Sequence, residues 1–117
     1  MYPSIYREMA DETTAQIRAD ERRAFVRSIE LLKLARSKGR GSRESVEALF
    51  FLHRLWTLLL EDLAEDGNGL PDSLKASVIS IGIWVLRRAE DIRQGKVDDF
   101  SGLIEVSESI HNGLGRH

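Results

Sequence analysis

Few side chains in this sequence are equipped for chemistry, and they are scattered. The histidines are His53, His111 and His117, three in all, and cysteine is absent. The lack of cysteine excludes a thiolate nucleophile, a disulfide and any cysteine-ligated zinc or iron–sulfur centre. His53 lies in an apolar stretch with no His-Glu-x-x-His spacing around it, which reads as a packed or rim histidine rather than a ligand or general base. A nucleophilic serine needs a base beside it, and no Gly-x-Ser-x-Gly elbow occurs. Carboxylates pair at Glu61-Asp62, Glu65-Asp66 and Asp98-Asp99. The stretch from Asp62 to Leu74 lacks the alternate oxygen ligands and closing glutamate of a calcium loop, so the pairs read as solvated helix ends and caps. Gly39-Arg40-Gly41-Ser42 lacks the Gly-Lys-Ser/Thr ending of a phosphate-binding loop and reads as a turn between helices. Neither an enzyme nor a cofactor or metal site is expected.

Charge is unevenly distributed. The chain carries 17 Lys+Arg and 19 Asp+Glu, a net of −2, which argues against a globally basic nucleic-acid binder. Residues 1–43 hold ten basic and six acidic groups, whereas residues 44–117 hold seven and thirteen. Arg18, Arg22, Arg23 and Arg27, with Arg36, Arg40 and Arg43 further on, form a candidate phosphate-tracking face. Against RNA contact stands the absence of interleaved stacking aromatics: Phe25 is the aromatic there, and its spacing turns it to the core. Glu–Arg pairs on a solvated face are the plainer reading.

Three breaks divide the chain into elements that must position these groups: Lys38–Ser42, Glu65–Pro71 and Gln94–Asp99. The spacing predicts a first helix from about Thr13 to Ser37, with Ile17, Ala24, Phe25, Ser28, Leu32 and Ala35 on one face and Gly39 as its stop. The second helix should start at Ser42, whose hydroxyl can cap the first turn. Its apolar residues, from Leu49, Phe50 and Phe51 through Leu58 to Leu63, cover more than one face, as expected of a central helix buried on several sides. The third should open with Pro71 in its first turn. Its β-branched run Val78–Ile83 is read as helix because helical spacing continues on both flanks. Gly82 costs about 1 kcal/mol against alanine in mid-helix, and close packing on the second helix would offset that. A short fourth helix is expected, capped by Asp98 or Asp99, striped by Leu103, Ile104 and Ile110, and ended at Asn112-Gly113.

The result is an all-α fold: a small antiparallel helical bundle with three long helices and a short C-terminal helix, forming one domain over residues 1–117. Composition agrees, with 31% charged and 42% hydrophobic residues marking a folded rather than a disordered chain. Residues 1–8 show no basic region followed by an apolar stretch, so no secretory signal is expected. The apolar windows Leu49–Leu60 and Val78–Leu86 fall short of the about 20 residues of a spanning helix, so no membrane insertion is expected. A cytoplasmic protein is the expectation. Tyr2 and Tyr6, four apart, can latch onto the bundle or onto a partner.

Several strings occur together. Met1-Tyr2 and Tyr6 open the chain; Leu55-Trp56-Thr57 precedes Glu61-Asp62-Leu63-Ala64; Leu70-Pro71-Asp72-Ser73-Leu74-Lys75 leads into Ile79-Ser80-Ile81-Gly82-Ile83-Trp84-Val85. Glu90-Asp91-Ile92-Arg93-Gln94-Gly95 then precedes Phe100-Ser101-Gly102-Leu103-Ile104-Glu105-Val106. In order and spacing, over almost the whole chain, this resembles the FlaF family of flagellar biosynthesis regulators of α-proteobacteria. The chain departs after Val106, where Ser107 stands in place of an expected asparagine. The resemblance implies a cytoplasmic protein that promotes synthesis and export of flagellin, the filament subunit. It also implies work alongside a second regulator, FlbT, which opposes flagellin translation, and an activity like that of a flagellin-specific secretion chaperone.

A small helical domain can hold an amphipathic client helix in a groove. The expected place is between the second and third helices or under the fourth, with Phe51, Leu58, Trp84 and Leu103 as candidate contacts. Two other readings stay open: direct contact with flagellin mRNA through Arg18, Arg22, Arg23 and Arg27, or action solely through a complex with FlbT. A homodimer sharing the second helix is a further possibility.

Overall fold

The computed structural model describes residues 22–65, 67 and 69–114, and among them every regular element is a helix. Helix α1 covers residues 22–38, α2 Arg43–Ala64, α3 Asp72–Arg93 and α4 Ser101–Leu114. The start expected for the first helix at Thr13 lies outside the described residues, as do Ile17, Arg18, Tyr2 and Tyr6. No described helix is long and apolar enough to cross a membrane.

Each connection follows from its residues. Gly39 takes φ +97° and donates its N–H to the carbonyl of Ala35 at 2.8 Å. That left-handed conformation stops α1 and suits a residue without a Cβ. Three residues on, the Ser42 hydroxyl donates to the Gly39 carbonyl at 2.6 Å and accepts the Ser45 N–H at 3.1 Å. One side chain thus closes the turn and caps α2. Pro71 sits just before α3, not inside its first turn as the sequence suggested, and its carbonyl accepts the Lys75 N–H at 2.9 Å. At the other end Gly95, at φ +80°, donates to the carbonyl of Ile92 at 3.0 Å. Asp99 accepts the Ser101 N–H at 2.9 Å, and this backbone hydrogen bond is the main reason its carboxyl lies below the usual range. Helix α4 runs on to Leu114, past the expected stop at Asn112-Gly113, because Gly113 keeps a helical backbone.

The core is built from one stripe per helix. Phe25, Ser28, Leu32 and Ala35 of α1 are fully buried, at three- and four-residue spacing. Leu52, Trp56, Leu59 and Leu63 of α2 meet them, with the Phe25 and Trp56 rings edge to face at 5.9 Å between centroids. Val85, Ala89 and Ile92 of α3 and Phe100, Leu103 and Ile104 of α4 close the interior. Helices α2 and α3 approach closely at Gly82, where an added Cβ would lie 2.8 Å from Cε3 of Trp56 and 3.1 Å from Cδ2 of Leu60. Gly82 therefore lets α3 rest directly on the indole of α2, as its mid-helix position implied.

Helix α4 is too short to be stable alone, and it docks at several points. Gly102 lies under the edge of the Trp84 ring, 3.2 Å from an added Cβ, while the Arg88 guanidinium covers that ring 5.3 Å from its centroid. Lys33 pairs with Glu108 at 3.1 Å, and Arg40 with Asp98 at 2.7 Å. These exposed pairs set the register of α4 more than its stability.

Candidate partner-binding groove

Helix α2 is not buried on all sides. Its apolar residues outnumber the faces that α1 and α3 cover, so part of them reach solvent. Val46 and Phe50, one turn apart on one flank, are 69% and 70% exposed. With α2 and α3 packed antiparallel, this flank opens onto the C-terminal half of α3. Val46, Leu49 and Phe50 from α2 and Leu86 and Ala89 from α3 line a groove of about 400 Å³. The small Ala89 side chain leaves depth between the two ridges. On α3, Ile79, Ile83 and Leu86 follow one another at four- and three-residue spacing, so the flank that faces the groove continues as an apolar row, with Ile83 45% exposed.

The polar groups stand at the rim. Arg93 donates to both carboxylate oxygens of Glu90, through Nε at 2.8 Å and through a terminal nitrogen, and Gln94 donates to the same carboxylate at 2.9 Å. The Arg93 guanidinium, by those hydrogen bonds first of all, holds the Glu90 carboxyl down at about 2, with Gln94 adding to it and desolvation opposing it. Arg40 donates its Nε–H to Asp98 and lies over Gly95. His53 completes the rim. An apolar floor with charges at its edge suits capture of an apolar ridge by burial of surface.

The residues singled out from sequence are dispersed. Leu58 is 54% exposed and Trp84 39% exposed, but Trp84 belongs to the α3–α4 seam. Phe51, seven residues before Leu58 and so on the same flank of α2, is half-buried against the core. Leu103 is fully buried beside Phe100 and Ile104, because α4 turns that stripe inward, and it has no surface to offer a partner. In the arginine set, Arg22 is half-buried, Arg23 and Arg27 are exposed, and Arg27 pairs with Glu30 at 3.5 Å. Arg18 lies outside the described residues. Among the described residues, no three or more His, Asp or Glu side chains cluster so as to hold a metal ion.

Sequence reasoning passed over Val46 and Phe50 as contacts. The signal was available: they sit off the stripe formed by Leu49, Leu52, Trp56, Leu59 and Leu63 yet share a four-residue spacing of their own.

No curated protein and no solved structure matches the chain. The family model for the flagellar protein FlaF matches residues 2–114, and on that nearly complete coverage the chain belongs to the FlaF family.

Proposed function

We propose that this protein is a flagellin-binding regulator and secretion chaperone that acts in the cytoplasm and promotes flagellin synthesis and export during flagellum assembly. Membership of the FlaF family gives the flagellar setting. The observation that carries the rest is the exposed apolar flank of α2 at Val46 and Phe50, opening onto the row of α3. Large apolar side chains left open side by side in a chain with 31% charged residues mark a surface meant to be covered. A client helix with apolar residues at three- and four-residue spacing is the shape such a groove takes. Holding a subunit's sticky segment in this way would keep it from premature polymerisation. The protein acts by binding, without a catalytic step or cofactor.

The experiment is co-purification of the full chain with its own flagellin, before and after RNase, with complex mass read by light scattering. A stoichiometric complex that survives RNase and is lost in Phe50→Glu supports the proposal. Absence of any flagellin complex overturns it and shifts the direct partner to FlbT or to RNA.

A further inference from the structure

We propose that the α2–α3 face is self-complementary: without a client, a second copy of this chain covers it across a two-fold axis, so self-association and client capture exclude one another. The dimer stands on the face alone. The exclusion rests on the reading of the groove as the client site.

The register of the two helices comes first. Gly82 lies against Trp56 and Leu60, and the groove brings Leu49 and Phe50 to Ala89 and Glu90. Across the trough, Phe50 is thus level with Glu90 and Thr57 with Ile83. Each ridge carries one outward stripe: Val46, Phe50, His53 and Thr57 on α2, and Ile79, Ile83, Leu86 and Glu90 on α3. Both stripes step by four, three and four residues, the repeat of one helix flank. Thr57 and Leu86 are half-buried and the others exposed. A two-fold axis through the middle of the trough lays α2 of one copy along α3 of the other, in parallel. Val46 then meets the partner's Ile79, Phe50 the partner's Ile83 and His53 the partner's Leu86. Thr57 comes opposite the partner's Glu90, whose carboxylate can accept its hydroxyl. Symmetry makes every contact twice, as in an isologous interface.

Area and charge set the strength. Arg43 to Leu60 of α2 would lie along Ala76 to Arg93 of the partner's α3, an overlap of about 27 Å. With two ridges about 10 Å apart, each copy offers about 500 Å². That is the size of weak, reversible association, under about 1,200 Å² in total. A lone helix fills the trough between the ridges, whereas a second copy also covers the ridges themselves, where Val46, Phe50 and Ile83 are open. Glu90 brings little net charge to this face, because Arg93 neutralises it. At the rim the same register sets Arg54 beside the partner's Arg87. Both are exposed, and among the described residues neither enters an ion pair. This meeting of like charges keeps the dimer weak enough to yield to a client. It also leaves a signature: salt should tighten the dimer by screening the repulsion.

The test is sedimentation equilibrium of the full chain across the micromolar range, at low and high salt. A reversible monomer–dimer equilibrium is expected. Phe50→Glu and Ile83→Glu should each abolish it, while Leu34→Glu, at a residue of α1 as exposed as Ile83, should leave it unchanged. Arg87→Glu turns both repulsive meetings into ion pairs, so it should strengthen the dimer by about tenfold at low salt and invert the salt dependence. The chain has no cysteine, so the register is read by mixing Val46→Cys chains with Ile79→Cys chains. The mixture should form the mixed disulfide faster than either variant links to itself. A monomer throughout, a dimer indifferent to Phe50→Glu and Ile83→Glu, a parent dimer that salt loosens, or faster linking of Val46→Cys to itself overturns the proposal. Flagellin should dissolve the dimer into a complex with one copy of this chain. Flagellin that binds the intact dimer overturns the exclusion and the groove as client site, while the dimer stands.

Discussion

Gly82→Ala is a sharp test of how α2 and α3 are joined. An alanine in mid-helix is favoured over glycine by about 1 kcal/mol. The new methyl, however, would sit 2.8 Å from Cε3 and 3.0 Å from Cζ3 of Trp56, and 3.1 Å from Leu60. The indole cannot swing aside, because Trp56 is fully buried and the Phe25 ring abuts it edge-on. Either α3 lifts or the core repacks, and such overpacking costs about 1–3 kcal/mol. The steric term outweighs propensity because the contact is with a fixed ring rather than the end of a flexible chain. A net loss of about 1 kcal/mol is expected, lowering the melting temperature by about 4–8 °C. Gly113→Ala is the matched control: also helical, but with nothing within 4 Å of the added carbon, so it should stabilise. Thermal and urea unfolding followed by circular dichroism would measure both. A Gly82→Ala chain as stable as its parent or more so would refute the close approach.

Other expectations follow from the caps, the core and the rim. Ser42→Ala removes the hydroxyl that caps α2 and should cost about 1 kcal/mol in urea unfolding. Leu103→Ala should cost about 2–5 kcal/mol, as a buried leucine does, and any loss of client binding should track that loss of stability. Phe50→Glu should change stability by under about 0.5 kcal/mol, being a surface substitution, while abolishing capture of flagellin. The Glu90 carboxyl, held at about 2 instead of 4.5, should stay ionised far into acid. Because its folded value is depressed, its contribution is present above 4.5 and lost as pH falls toward 2. Carboxyl-carbon NMR should find the midpoint near the lower value and see it rise in Arg93→Gln; an ordinary midpoint in the parent chain would discount the hydrogen bonds to Arg93.

The fold was largely legible because local chemistry and periodicity agree at each junction. Gly39 and Ser42 state a stop and a start within four residues, and Gly82 announced a close neighbour because a glycine amid β-branched residues has no propensity reason to be there. Gly113 misled: a glycine near a helix end signals a stop only when the backbone turns left-handed, and here it stays helical. The groove was less legible. Periodicity gives the faces of α2 but not how many neighbours stand against them. Val46 and Phe50 are as apolar as Leu52; their spacing sets them off the main stripe, but the placement of α1 and α3 is what leaves them uncovered. Leu103 erred the opposite way: α4 is short, and its shortness suggested an uncovered face, whereas its apolar stripe is what fastens it.

The two tryptophans stand in contrasting surroundings. Trp56 is sealed in the interior, whereas Trp84 lies at the α3–α4 seam, 39% exposed, between Gly102 and the Arg88 guanidinium. The molecule thus carries two built-in optical reporters for two events. Detachment of α4 would bare Trp84 and release its cation, shifting part of the emission to longer wavelength while Trp56 keeps its apolar spectrum. Replacing each indole in turn with phenylalanine would separate the signals and reveal whether the last helix leaves before the rest of the bundle melts or together with it.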